Sequence, residues 1–220
     1  MAERGSILFI LSSPSGVGKT TLSKMMREKY PDMQLSISVT TRPKRPNETD
    51  GIDYRFVTKE KFASMVKNQE FVEYATVYGN SYGTLSKDIE ELAHQGKDII
   101  FDVDVQGAIA LRNFGKKSGM MTQSVFLLPP SIEAQKARLL KRAQDSITVV
   151  EERMAEEAAI EEKSQSIYDL YRLQEYEFAF INDDLQETFD NLCNLYNISC
   201  KSRDDLLKFA EMIERERNAK

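Results

Sequence analysis

The chain alternates between short unbroken apolar runs and longer stretches in which apolar residues return every three or four positions. The first run, Ile7-Leu8-Phe9-Ile10-Leu11, is too short for a helix and has the pattern of a strand buried on both faces. It stops at Ser12-Ser13-Pro14-Ser15, where proline and serine punctuate the chain. Leu22, Met25 and Met26 follow at helical spacing, so a helix is expected over 19–29, ending before Pro31, which disfavours helix at the residue ahead of it. Residues 33–40 alternate apolar and polar and read as one half-buried strand. A rigid basic loop comes next, Thr41-Arg42-Pro43-Lys44-Arg45-Pro46. Gly51, Tyr54, Phe56 and Val57 suggest a second short strand. Residues 59–69 carry Phe62, Met65 and Val66 at helical spacing, and 71–78 have a strand pattern closed by Gly79-Asn80. Tyr82-Gly83-Thr84 leads into a helix expected over 86–94 and capped by Gly96.

A buried strand is then expected over 98–104, a helix over 106–113 and a strand over 124–128 that ends at Pro129-Pro130. Helices follow over 132–142 and 149–171, the second long and charged, and a last strand over 178–182. Strands alternating with helices imply an α/β fold, a parallel sheet covered by helices on both faces. A small, mostly strand-like insert at about 36–88 interrupts the alternation. Two amphipathic helices, 185–196 and 202–217, close the chain. In the first, Leu185, Phe189, Leu192 and Tyr196 share one face, open either to packing on the core or to self-association into a homo-oligomer.

Composition narrows the picture. A length of 220 residues with 41% hydrophobic content suits one core with small inserted modules. A net charge of −5 argues against a general nucleic-acid binder, so any anion site must be built from a few placed Arg and Lys residues. Cys193 and Cys200 are the only cysteines, too few for a disulfide framework or a metal cluster. His94 is the only histidine, which removes His-based metal binding and Ser-His catalysis. No apolar run approaches about eighteen residues, and no signal peptide is apparent. The expectation is a soluble, cytoplasmic protein with no membrane partner.

The chemistry begins where the first strand ends. Ser13-Pro14-Ser15-Gly16-Val17-Gly18-Lys19-Thr20-Thr21 lies between strand and helix, the context of a phosphate-binding P-loop. Gly16 and Gly18 let backbone N–H groups close around phosphate oxygens. The helix N-terminus adds partial positive charge, Lys19 can reach the outer phosphates, and the Thr20 hydroxyl can ligate Mg²⁺. Ser13 stands where the G-x-x-x-x-G-K-[ST] pattern has its first glycine. A nucleoside triphosphate is implied, and its acceptor is not. For the acceptor, Arg42 and Arg45 lie three apart in a loop stiffened by proline, suited to bidentate contact with phosphate. Tyr54, Tyr82, Ser38 and Thr84 offer hydroxyls. Glu73 places a carboxylate inside an apolar run, either as a solvent-facing residue of an edge strand or as an acceptor for the N–H groups of a base.

These residues carry a resemblance. Thr40-Thr41-Arg42-x-x-Arg45-x-x-Glu48-x-x-Gly51-x-x-Tyr54-x-Phe56-Val57 resembles the signature of the guanylate kinases. The likeness continues through Phe71-Val72-Glu73, 79–84, Asp102-Val103-Asp104-Val105-Gln106-Gly107, Pro129-Pro130-Ser131 and Ile181-Asn182-Asp183-Asp184. It therefore spans about residues 5–184 in the family's order. It implies the P-loop nucleoside monophosphate kinase fold: a core of 5–35 and 97–184, a GMP-binding insert of 36–88, a lid of about 138–160, and a helical extension over 185–220. The implied activity is transfer of the γ-phosphoryl group of ATP to GMP with Mg²⁺, in purine nucleotide metabolism, with dGMP as a further acceptor.

Position by position, the resemblance implies that Arg42, Arg45, Tyr54 and Tyr82 hold the GMP phosphate. Ser38, Glu73, Thr84 and Asp104 would hold or frame the guanine, and Asp102 would lie near the phosphates and Mg²⁺. Arg142 and Arg153 match the lid arginines, and Asn182 falls on the adenosine side of the ATP site. Ser13, Ser81 and Ala143 depart from the family's usual residues. The chemistry of guanine agrees: a carboxylate pairs with N1–H and the 2-amino group, while hydroxyls such as Ser38 or Thr84 serve O6. Adenine would turn its N1 lone pair toward that carboxylate. The alternatives are a non-catalytic interaction module of the same fold, and a kinase of the same fold with another acceptor.

Overall fold

The computed structural model describes residues 5–77, 79–141 and 176–200. The first apolar run becomes β1 (Ile7–Ser12), with all six residues buried. It is the middle strand of a five-stranded sheet of order β2-β7-β1-β8-β9, in which β2 is Met33–Leu35, β7 Asp98–Val103, β8 Met121–Leu128 and β9 Phe178–Ile181. Every pairing in this sheet is parallel. Successive side chains of a strand point to opposite faces, so β1 feeds two cores. Ile7, Phe9 and Leu11 pack with Leu22 and Met26 of α1 (Lys19–Lys29) and with Phe189, Leu192 and Leu195 of α6 (Leu185–Ser199). Leu8 and Ile10 face Ile89 of α3 (Ser86–His94) and Ala108 and Leu111 of α4 (Val105–Ser118). The expected parallel sheet with helices on both faces is present. Of the face expected to be apolar on α6, Phe189, Leu192 and Tyr196 are buried in its core together with Cys193, whereas Leu185 is exposed.

The insert has its own sheet of order β4-β3-β6-β5, formed by β3 (Val39–Thr40), β4 (Arg55–Phe56), β5 (Phe71–Val77) and β6 (Asn80–Leu85). Phe62 and Met65 of α2 (Lys59–Lys67) cover it and bury Val39 between them. The single strand expected over 33–40 is in fact two strands in two different sheets. Ser36 N still donates to Ile100 O of the core sheet at 3.0 Å, whereas Ser38 O already accepts from Arg55 N of the insert at 2.9 Å. The alternating pattern holds in both halves, but alternation carries no information about which strand each half pairs with.

Other boundaries differ from expectation, two of them at α4 and β8. Helix α4 runs five residues past 113, through Gly115, where only a glycine lets it pack this closely on β8: a Cβ would sit 2.1 Å from Thr122 Oγ1. Strand β8 starts at Met121 rather than at 124, since Met121, Thr122 and Gln123 pair with Ile7, Leu8 and Phe9. The helix α5 (Ile132–Lys141) follows β8. The helices expected over 149–171 and 202–217, and most of the expected lid, lie outside the described residues.

Candidate functional site

The site lies at the carboxyl end of the parallel strands, where open α/β sheets place their ligands. The chain leaves β1 at Ser12 and enters α1 at Lys19. Between them Gly16 (φ 80°) and Gly18 (φ 110°) adopt backbone conformations that L side chains avoid. Neither position has room for a side chain: a Cβ on Gly16 would meet Leu139 Cγ at 2.7 Å, and one on Gly18 would meet Asn182 Nδ2 at 2.6 Å. Ser13 makes no such demand. Among the described residues Gln69 is the only non-glycine with positive φ, so a serine stands at the first glycine position without backbone strain. Its hydroxyl donates to Pro14 O at 2.7 Å.

The loop is held by its carbonyl oxygens. Lys19 Nζ donates to Ser13 O at 3.2 Å, Gln135 Nε2 to Ser15 O at 3.0 Å and Asn182 Nδ2 to Val17 O at 2.6 Å. Arg138 Nη1 donates to Asn182 O at 2.8 Å and fixes Asn182 in turn. A loop anchored by its carbonyls leaves its amides available on the other side, as a phosphate-binding nest requires. At the end of β7, Asp102 meets the loop: Thr20 Oγ1 donates to Asp102 Oδ2 at 2.8 Å, and Lys19 Nζ lies 3.4 Å from Asp102 Oδ1.

Across a cleft of about 390 Å³ stands the insert, with Ser38, Arg45 and Tyr54 on its wall and Thr20 and Asp102 facing them. Glu48 organises the basic loop. Its carboxylate accepts from Arg42 Nη2 at 2.6 Å and from Arg45 N at 2.8 Å. Burial alone would raise the Glu48 carboxyl, but these hydrogen bonds outweigh it and hold the group below the usual carboxylate range. The Arg42 guanidinium also lies 5.4 Å from the centre of the Tyr54 ring and 5.8 Å from that of Phe56, within cation–π reach. Tyr54 and Tyr82 meet edge to face with ring centres 6.1 Å apart. Burial pushes the Tyr54 hydroxyl well above the usual range, and the charge of Asp102 adds to this, so it remains a proton donor.

Glu73 sits on β5 beside the first turn of α4. Thr84 Oγ1 donates to Glu73 Oε1 at 2.6 Å. A Cβ on Gly107 would lie 3.3 Å from Glu73 Oε2, so glycine there leaves space for the carboxylate. Asp104 caps α4 by accepting from Gly107 N at 2.8 Å. Burial raises the Glu73 carboxyl to about 7; the Thr84 hydrogen bond opposes this and the charge of Asp104 adds to it.

The structure thus brings Lys19, Thr20 and Asp102 into contact, joins Arg42 to Arg45 through Glu48, and joins Glu73 to Thr84. Asn182 is buried and touches the loop backbone at Val17. Arg142 and Arg153 lie outside the described residues. Sequence reasoning left Glu48, Gln135 and Arg138 out of the site. A lone carboxylate three residues beyond Arg45 was a usable signal for Glu48. Gln135 and Arg138 reach the loop from about 120 residues away, and nothing local marks them.

Comparison with known proteins agrees with this arrangement. The family model described as guanylate kinase matches residues 6–197. A guanylate kinase of Bradyrhizobium diazoefficiens is 43% identical over 187 residues, covering 85% of this chain and 80% of its own. One of Nitrobacter hamburgensis is 41% identical over 217 residues, covering 97% and 94%. The crystal structure of guanylate kinase from Anaplasma phagocytophilum superposes with a TM-score of 0.67 at 28% identity, covering 92% of this chain and 90% of that one. With a P-loop, an arginine-bearing insert and nearly its whole length matched, the chain belongs to the guanylate kinase family.

Proposed function

We infer that this chain is a catalytic guanylate kinase, transferring the γ-phosphoryl group of ATP to GMP to give ADP and GDP. The observation that carries the reading is the pairing of Lys19 and Thr20 with Asp102 directly across the cleft from Arg45 and Tyr54. One wall suits a triphosphate and the other a monophosphate. The P-loop amides and Lys19 bind and align the ATP phosphates. Arg42, Arg45, Tyr54 and Tyr82 take the GMP phosphate, with Glu48 holding both arginines in place. Glu73 accepts from N1–H and the 2-amino group of guanine, and Ser38, Asp104 and Thr84 frame the base. Asn182 supports the ATP site through Val17. Arg142 and Arg153 are proposed to close over the transferring group. The same reading divides the chain into core, GMP-binding insert and lid.

Mg²⁺ fits the residues present. Among the described residues no three His, Cys, Asp or Glu side chains come together as a metal cage. Mg²⁺ asks for less: one or two protein oxygens, with phosphates and water completing its shell. Thr20 Oγ1 and Asp102 would hold it. When bound, it supplies charge neutralisation between phosphate oxygens.

No general base is needed. A phosphate monoester has a second pKa near about 6, so the GMP oxygen is already ionised at neutral pH and is itself the nucleophile. The remaining barrier is repulsion and misalignment between two polyanions, which placed cations relieve. Closure around the nucleotides excludes water as a competing acceptor. Among the described residues no helix is long and apolar enough to cross a membrane. The test is ADP formation from ATP and Mg²⁺ with GMP. A Lys19→Ala protein that still binds GMP but turns over about a hundredfold more slowly or less supports the P-loop role. Turnover near wild type would remove it.

A further inference from the structure

Three carbonyl oxygens of the glycine loop are held by side chains, and the three holds are not equivalent. A trans peptide unit is planar, with its C=O and N–H pointing in opposite directions. A side chain that holds a carbonyl therefore also aims the amide of the next residue. Lys19 holds Ser13 O at 3.2 Å, but the next residue is Pro14, which has no N–H. Asn182 holds Val17 O at 2.6 Å and so aims the Gly18 amide. Gln135 holds Ser15 O at 3.0 Å and so aims the Gly16 amide.

The peptide between Ser15 and Gly16 needs such a hold. Gly16 sits at φ 80°, and glycine accepts either sign of φ at little cost, so local sterics do not keep this peptide from turning over. Gln135 is fixed to do so. Ser131 closes the first turn of α5: Ala134 N donates to Ser131 Oγ and Gln135 N to Ser131 O, both at 3.1 Å. Residues 135 and 139 are four apart and share one face of the helix. That face rests on the loop, since a Cβ on Gly16 would lie 2.7 Å from Leu139 Cγ and 3.4 Å from Gln135 O. Gln135 is only 7% exposed, so water does not readily take the place of its amide on the Ser15 carbonyl.

We propose that Gln135 is a positioning residue for ATP: its side-chain amide holds the Ser15–Gly16 peptide with the Gly16 N–H turned toward the triphosphate. The proposal rests on the guanylate kinase reading. Without that hold the peptide populates both orientations, and the triphosphate binds only one of them. Its apparent affinity then falls in proportion to the competent fraction. Arg45 and Tyr54 stand on the opposite wall of the cleft and do not share this peptide, so the loss is confined to the ATP side.

The test compares wild type with Gln135→Met, which keeps the length of the side chain and removes its donor. Steady-state kinetics with ATP and GMP varied separately give the two KM values, and thermal melting establishes that each protein is folded. Proton–nitrogen NMR spectra follow the glycine amides during titration with Mg²⁺ and a non-hydrolysable ATP analogue. In Gln135→Met the KM for ATP is expected to rise about tenfold with the KM for GMP unchanged. In wild type the Gly16 amide proton is expected to move downfield as the analogue binds. In Gln135→Met that shift shrinks, whereas the shift of Gly18, which Asn182 aims, persists. A Gly16 amide that does not respond in wild type would overturn the proposal without recourse to any variant. So would a folded Gln135→Met protein with an unchanged KM for ATP, or one in which both KM values rise together, the mark of a general loosening. Wild-type protein that forms no ADP from ATP and GMP would overturn the parent reading, and turnover by wild type separates that failure from this one.

Discussion

At the scale of single residues, two carboxylates serve the site in opposite ways. Glu48 is held ionised by Arg42 and the Arg45 amide. Replacing it with alanine leaves Arg42 without its partner. Loss of a hydrogen bond to a charged group costs about 1.5–3 kcal/mol, so the KM for GMP should rise about tenfold while kcat changes little; steady-state kinetics over GMP concentration reads both. Glu73 is instead raised by burial to about 7. Below that pH it carries a proton and cannot accept from both guanine donors. The KM for GMP is therefore expected to fall as pH rises through about 7, and Glu73→Gln should flatten that slope and raise KM by about tenfold. Stability runs the other way. The folded pKa lies above the ordinary carboxyl value, so Glu73 favours the folded state only while it is protonated. Above about 7 its desolvated charge opposes folding. Glu73→Gln should then melt at a higher temperature than wild type on the alkaline side, with the difference shrinking toward acid pH; a melting series across pH measures it. A variant that melts lower at every pH would show that the carboxylate is a net support of the fold.

At the scale of elements, contiguity decides what a sequence reveals. The strand, glycine loop and helix of the P-loop are consecutive, and each has its own signal in Ile7–Leu11, Gly16-Val17-Gly18 and Leu22-Met25-Met26. Helix α3 is likewise marked at its end, where Gly96 N donates to Ala93 O and Lys97 N to Leu92 O in the glycine-terminated pattern. What pairs with what is a different kind of information. The division of 33–40 between two sheets depends on Ile100 and Arg55, which lie about 60 and 20 residues further on. The close packing of α4 on β8 depends on Thr122 meeting a bare glycine at 115. Gly115→Ala tests that contact: overpacking costs about 1–3 kcal/mol, so urea unfolding should shift to lower midpoint while kcat per folded molecule stays unchanged. An unshifted midpoint would mean that β8 and α4 give way at no cost. The site divides along the same line. Lys19, Arg42 and Arg45 could be read from local motifs, whereas the Gln135 and Arg138 braces became visible only once the chain was folded.

At the scale of the molecule, two sheets with separate cores share one cleft. The five-stranded parallel sheet carries the wall of Thr20 and Asp102, and the four-stranded insert carries the wall of Arg45 and Tyr54. The three residues 36–38 join β2 of one sheet to β3 of the other, and their serines line the cleft. This division of labour explains why the charged groups need not be numerous. On the proposed function, a protein with a net charge of −5 binds two polyanions through a few placed cations that converge from both sheets on one gap. The account makes one central claim, that this gap is a phosphoryl-transfer site specific for guanine. ADP formation from ATP and Mg²⁺ in the presence of GMP, AMP, CMP or dTMP measures it most directly. Strong turnover with GMP and none above background with the other three is the result expected from Lys19 and Glu73 acting together. Turnover with another acceptor in preference to GMP would contradict the base-reading half of the claim, and folded protein with no turnover on any acceptor would contradict the catalytic half.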